Sequence, residues 1–232
     1  MNYEEYRFEV LPSTQDFLRE KRCGGKNALA VAKAQSGGKG TKGRSFECND
    51  GGLWLSYLSF DERISACDAF LMVVRSAVAV CKTLEEYGLS PKIKWANDVL
   101  LGGKKVCGVL TESVLSGQTI SSVLFGIGLN VNNVLSAELS KIATTMSAFT
   151  GKKYDLNEVE RRLLAHFFAP FSFDEYRARL AYLGEKVTFV YGEQIFSATV
   201  AGVTERGELL LTRGGKTSAY AYGEISFYKG QV

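Results

Sequence analysis

The stretch AQSGGKGTKGRSFECNDGGLWLS, residues 34–56, constrains the fold most. It places six glycines (Gly37, Gly38, Gly40, Gly43, Gly51 and Gly52) and three cations (Lys39, Lys42 and Arg44) between two apolar runs. The runs, ALAVAKA (Ala28–Ala34) and LWLSYLSF (Leu53–Phe60), read as strands, the first buried and the second rich in aromatics. The connection lacks the G-x-x-x-x-G-K-[ST] spacing and does not lead from a strand straight into a helix, so neither standard phosphate fingerprint explains it. Composition alone leaves two readings open. One is a solvated hairpin with ordinary surface cations. The other is a loop whose cations and backbone amides face an anion.

Around this loop the pattern predicts a mixed α/β layout. Ser13 or Thr14 caps a helix to about Lys21, with Asp16 in a capping-box position. A long helix fits Cys67–Tyr87, closed by Gly88. PKIKW (Pro91–Trp95) is a short strand, and Asn97-Asp98 follow as a turn. Gly102-Gly103 turns into a strand over Lys105–Glu112, and Ser116-Gly117-Gln118 into another over Thr119–Val131. Gly126 and Gly128 interrupt that last strand, as where a ligand or another backbone comes close. Asp155 caps a helix from Leu156 to about Phe168, and a further helix fits Phe173–Leu183. From Glu185 only short strands remain, which predicts a small β-barrel or sandwich. The expected domains are therefore 1–183 and 184–232.

Composition narrows the function. Hydrophobic residues make up 46% and charged residues 23%, an ordinary globular balance. A net charge of +3 argues against a protein that mainly wraps nucleic acid. The first residues lack a leader pattern, and charges break the apolar run Ala66–Val80, so a membrane span is not expected. Five scattered cysteines without a C-x-x-C suggest a reducing cytoplasm. With His166 the single histidine, a multi-histidine metal site is ruled out, and His166 reads as structural.

Several separate motifs then point one way. PSTQ (Pro12–Gln15), the glycine loop, KWANDVLLGGKKVCGVLTE (Lys94–Glu112), FGIGLNVN (Phe125–Asn132) and the terminal Tyr222-Gly223-Glu224 occur in that order. In order and spacing the chain resembles the biotin–protein ligase family over nearly its whole length. Members activate biotin as an adenylate and transfer it to a lysine of a carboxylase carrier domain. The resemblance implies a catalytic domain like that of class II aminoacyl-tRNA synthetases, a mixed sheet packed by helices, with a small C-terminal SH3-like β-barrel. Only twelve residues precede Ser13, so the likeness is to the short class without a DNA-binding repressor domain, and no DNA partner is expected. The carrier domain is the expected partner, and ATP and biotin are the expected substrates, with Mg²⁺. Family members often pair through sheet edges, and the sequence leaves open whether this chain forms a homodimer.

The resemblance also implies roles for residues. Lys39, Lys42 and Arg44 would screen the meeting anions, with Gly38 and Gly40 freeing backbone amides between them. Lys94 would hold the biotin carboxylate and the α-phosphate for in-line attack; without context it is also an ordinary strand-end lysine. Ser13, Thr14, Gln15 and Gln35 match positions that hold biotin's ureido ring, over a floor of Gly108, Gly126 and Gly128. Trp54 would wall the site, with core packing as its alternative. Asn97, Lys105 and Asn130 would face the nucleotide, and Asp98 a Mg²⁺ or the incoming lysine. The loop departs from the family pattern. Lys39 and Thr41 stand where arginines are usual, Phe46 stands for tryptophan, and Gln15 replaces asparagine. Thr41 loses a charge, while Phe46 can still stack on adenine. The rivals are a lipoate- or octanoate-type ligase of the same fold, and a noncatalytic ligand- or RNA-binding module.

Overall fold

The segment EEYRFEVL alternates charged and apolar residues, and this period of two makes it a strand (β1, Glu4–Leu11). The sequence reading passed over it. Tyr6 and Phe8 point inward while Glu5, Arg7 and Glu9 stay in water. β1 pairs in parallel with β2 (Ala28–Gln35) as the first strand of a seven-stranded sheet. The molecule is seen in a computed structural model, which describes residues 2–40, 43, 45–62 and 64–228. The expectations for Thr41, Lys42 and Arg44 lie outside the described residues.

The sheet continues with β3 (Leu53–Ser59), β4 (Lys92–Lys94), β5 (Asp98–Leu101), β6 (Lys104–Ser116) and β7 (Thr119–Leu129), in the order β1-β2-β3-β7-β6-β5-β4. All pairs after the first are antiparallel. Asp98, expected in a turn, opens β5 opposite Lys94. Two long helices, α2 (Phe70–Glu86) and α4 (Leu156–Phe168), cover one face. There Val31, Leu55, Tyr57, Val109, Phe125 and Ile127 join Val74, Val78, Cys81 and Leu163 in one buried cluster. The other face carries α1 (Thr14–Lys21), whose Leu18 is fully buried on Ala28, Ala30, Leu58 and Leu124. Burying one leucine stabilises by about 1.5–3 kcal/mol, so this small cluster anchors α1 and leaves the rest of the face open.

The helix expected from Cys67 starts at Phe70, after a 3-10 turn over Ala66–Asp68. Ala66 N–H donates to Gln118 O at 2.9 Å, tying that turn to the β6–β7 hairpin. A short helix, α3 (Met146–Thr150), lies between Thr145 and Gly151. The helix expected to Leu183, α5 (Phe173–Ala178), stops early. Beyond it Arg179 O accepts from Ile93 N–H at 2.7 Å, and Ala181 N–H donates to Ile93 O at 2.8 Å. The chain leaves the helix to pair with β4.

The remaining strands are β8 (Lys186–Tyr191), β9 (Gln194–Val203), β10 (Leu209–Arg213), β11 (Lys216–Tyr220) and β12 (Ile225–Phe227). They form an antiparallel sheet in the order β11-β10-β9-β8-β12. Among the described residues it is open, not the closed barrel expected. β12 pairs three residues with β8 and is too short to carry the ladder round to β11 as well. This sheet packs on the first: Trp95 Nε1 donates to Gly207 O at 2.9 Å, and the Trp95 ring meets Tyr222 edge-on at 5.9 Å.

Candidate ligand-binding site

In an antiparallel sheet, directly opposed residues share a face. The register Trp54↔Gly128↔Gly108↔Asp98↔Lys94 is one such row across four pairings. A second row, Ser56↔Gly126↔Leu110, runs beside it on the same α1 face. Three glycines at the middle of these rows remove side chains where strands normally carry them, and a trough results.

Phe46 lies in that trough. A Cβ on Gly128 would stand 3.1 Å from Phe46 Cε1, and one on Gly108 would meet Lys105 Nζ at 3.0 Å and Phe46 Cε2 at 3.1 Å. Lys105 Nζ sits 5.3 Å from the Phe46 ring centroid and 2.6 Å from Asp98 Oδ1. The free volume left in the cleft is about 50 Å³, against the roughly 300 Å³ or more that ligand pockets enclose. Gly38 admits the returning strand of the loop: a Cβ there would be 2.3 Å from Phe46 O. Trp54 is fully buried, edge-on to Phe46 at 5.9 Å, and its Nε1 donates to Asn49 O at 2.9 Å. It supports the base of the loop.

The polar end of the cleft is built on the start of α1. Ser13 Oγ caps the helix by accepting from Asp16 N–H at 3.3 Å. Gln35 Oε1 accepts from both Thr14 N–H (2.7 Å) and Thr14 Oγ1 (3.0 Å), while its Nε2 donates to Cys48 Sγ at 3.0 Å. With both oxygen lone pairs used, Gln35 offers a ligand its second amide hydrogen. Thr14 Oγ1 also meets Ser56 Oγ at 2.8 Å. The sequence reading missed Ser56, a hydroxyl two residues from Trp54 in an apolar strand. Gln15 is 5% exposed, and its Nε2 donates to Glu112 Oε1 at 3.3 Å. Arg19 and Glu112, also missed, form an ion pair of 2.6 Å behind it.

Lys39 and Gly40 line the mouth, with Lys39 Nζ 2.7 Å from Asp16 Oδ2. Asn97 lines the cleft, and its Nδ2 donates to Val109 O at 2.6 Å. The Trp95–Ala96 peptide bond just before it is cis. Two expected residues are not brought to the lining. Asn130 is buried, donating to Thr144 O at 3.2 Å and accepting from Asn133 Nδ2 at 3.1 Å. Lys94 ends β4 with Nζ 4.9 Å from the centroid of the Phe227 ring. Among the described residues no three His, Cys, Asp or Glu side chains gather to hold a metal. Asp98 therefore finds no cluster around it.

Burial pushes the Cys48 thiol up to about 11. Its thiolate, the reactive form, accumulates only as pH approaches that value. At pH 8 iodoacetamide should label exposed Cys67 and spare Cys48, as peptide mass spectrometry would show. Early alkylation of Cys48 would contradict this closed environment.

A polar recess, a glycine-floored trough and lysines lining it together have the chemistry of a site for a small ligand with an anionic end. Comparison with known proteins makes this specific. The profile of the Biotin/lipoate A/B protein ligase family matches residues 7–130, and that of the Biotin protein ligase C terminal domain matches 182–228. The chain belongs to the biotin/lipoate A/B protein ligase family. A biotin protein ligase from Aquifex aeolicus, solved with biotin and ATP, superposes with a TM-score of 0.80 at 30% identity, covering 97% of this chain and 98% of that one. The bifunctional ligase/repressor BirA of Bacillus subtilis is 36% identical over 166 residues, 68% of this chain and 51% of the relative. A biotin–acetyl-CoA-carboxylase ligase of Paracoccus denitrificans is 27% identical over 80% of this chain and 84% of its own length. The chain thus spans about half the length of the two Bacillus BirA relatives it matches.

Proposed function

We propose that the chain is an ATP-dependent biotin–protein ligase. A biotin carboxylate oxygen attacks the α-phosphorus of ATP, and pyrophosphate leaves with the bonding electrons. A carrier lysine amine then attacks the acyl carbon of the adenylate, AMP leaves, and the amine loses its proton. The observation that carries the reading is the layout of the cleft, with amides and hydroxyls around the start of α1, where Lys39 also sits, and Lys105 over Gly108 in the glycine trough. Ser13, Thr14, Gln15 and Gln35 suit a ureido ring, which has both donors and an acceptor. Lys39, Lys94 and Lys105 suit the carboxylate and phosphates. In support, the Aquifex relative holds biotin and ATP, and the likeness covers nearly all of both chains.

Mg²⁺ enters as the ATP chelate, since Asp98 is engaged by Lys105 and no three His, Cys, Asp or Glu side chains gather to hold a metal among the described residues. Phe46 swings out of the trough on ligand entry and stacks on the adenine. Residues 1–183 form the ligand-binding domain and 184–232 the second domain. A carboxylase carrier domain is the macromolecular partner and the cytoplasm the setting. A pair of copies would meet along β1, since the segment after α5 already covers the edge of β4. No helix among the described residues is long and apolar enough to cross a membrane.

The test mixes purified protein with labelled biotin, ATP, Mg²⁺ and an apo carrier domain. Label on the carrier lysine with stoichiometric pyrophosphate supports the reading. Lipoate transferred in place of biotin would overturn it in favour of the lipoate-type activity.

A further inference from the structure

Resting on the functional reading above, we infer that Glu112 and Arg19 are positioning residues. They fix which way the Gln15 amide faces, and so select a ligand ring that carries an N–H donor. Arg19 grips Glu112 with two bonds, Nε to Oε2 at 3.1 Å and Nη2 to Oε1 at 2.6 Å. Asp16 binds the third arm of Arg19 and also Lys39 Nζ, so the guanidinium is held from both sides. Glu112 stands on β6, two residues beyond Leu110, on the face that carries the glycine trough. An ionised carboxylate only accepts hydrogen bonds. The Gln15 group facing Glu112, 3.3 Å away, is therefore the NH₂.

The opposite end of the amide is then Oε1, and it lies over Gly126. A Cβ on Gly126 would sit 2.0 Å from that oxygen. The glycine thus makes room for an acceptor aimed across the strand into the cleft. Gln15 and Gly126 both line it. A ureido ring supplies an N–H to such an acceptor. A plain fatty acid or a dithiolane ring supplies none and leaves the oxygen buried and unpaired, a loss that sites of this kind use to reject analogues. The sequence of control runs from Asp16 and Arg19 through Glu112 to Gln15.

The test inverts this polarity and then restores it. Arg19 Nη2 and Gln15 Nε2 share Glu112 Oε1, so the inversion needs a side chain at 112 that cannot accept. In Glu112→Lys the ammonium only donates, so Gln15 must flip and present its own NH₂ over Gly126. Biotin Kd by calorimetry, and biotin KM in pyrophosphate release, should rise about tenfold to a hundredfold. kcat should stay within about twofold, because the contact is made equally in ground and transition states. Adding Gln15→Glu to Glu112→Lys gives a carboxylate at position 15 that accepts from the new ammonium and again points an oxygen at the ligand. Affinity should recover to within a few-fold of wild type, whereas Gln15→Glu alone opposes two carboxylates and should not recover. Thermal melts check each fold, and Gln15→Met, which removes the acceptor, should lose affinity like Glu112→Lys if the latter misfolds. Unchanged biotin affinity in folded Glu112→Lys or in Gln15→Met, or a double variant no tighter than Glu112→Lys, would overturn the inference alone. Wild-type protein that takes up no biotin overturns the functional reading and this inference with it.

Discussion

Lys94→Ala is expected to slow biotinyl-adenylate formation by about 10²–10³-fold, the usual effect of removing a group that stabilises developing charge. The backbone at Lys94 is unusually well held. Its neighbour Ile93 is fully buried and bonded through both N–H and C=O to the segment after α5. Trp95, on the other side, is 7% exposed and bonded to Gly207 O. Lys94 stands opposite Asp98 in the row that crosses Gly108 and Gly128, so its side chain starts on the trough face. Its ammonium rests against Phe227. A half-buried cation–π contact of this kind is worth about 0.5–2 kcal/mol, against about 1.5–3 kcal/mol for each charge-assisted bond to phosphate. The phosphate therefore wins the lysine once ATP is bound. Pyrophosphate release measures the first step and transfer from added biotinyl-adenylate the second. The alanine variant should fail mainly in the first. Wild-type pyrophosphate release from Lys94→Ala would remove Lys94 from the mechanism.

Tyr176→Ala should destabilise the fold by about 3–5 kcal/mol, the cost of emptying a large aromatic site. Against a total stability of about 5–15 kcal/mol, this is enough to bring the protein near unfolding. Tyr176 is fully buried, parallel to Phe173 at 6.0 Å and edge-on to Phe70 at 5.4 Å. Its hydroxyl donates to Ala96 O at 2.9 Å, directly before Asn97. Tyr176→Phe keeps the ring and strands that carbonyl, at a cost of about 1–3 kcal/mol. Urea denaturation of the three proteins separates the two contributions. If Tyr176→Phe matches wild type, the hydroxyl is not what holds Ala96.

Much of this was legible in the sequence. Alternation and turn chemistry placed β2, β3, the two long helices and the glycine turns, because those signals are local. β1 escaped because Glu4, Glu5, Arg7 and Glu9 make it look like a polar leader-free terminus, although Tyr6 and Phe8 keep the period of two. The end of α5 was set by a bond to Ile93, far away in the chain. The open second sheet followed from the shortness of β12, which no propensity states. The cleft shows the same division. Gly126 and Gly128 could be read because a glycine inside a strand is locally odd, and Gly108 through the likeness to the family. The Arg19–Glu112 pair spans 93 residues and looks like two surface charges until α1 lies on the sheet. Asn130 looked like a nucleotide contact, yet the structure bonds it to Thr144 and Asn133 inside the fold.

The Phe46 ring in the trough gives ligand uptake the character of an exchange. A guest does not simply add its apolar surface to the protein but replaces surface already sheltered. Fully burying a phenylalanine is worth about 1.5–3 kcal/mol and Phe46 is half-buried, so displacement would weaken apparent affinity by roughly threefold to tenfold. The same swap keeps glycine-lined backbone from standing wet between turnovers. It also blunts the heat-capacity change, since one apolar group leaves as another arrives. Calorimetry over a temperature range should give Phe46→Ala the tighter biotin binding and the more negative ΔCp. A less negative ΔCp in that variant would mean the ring never leaves.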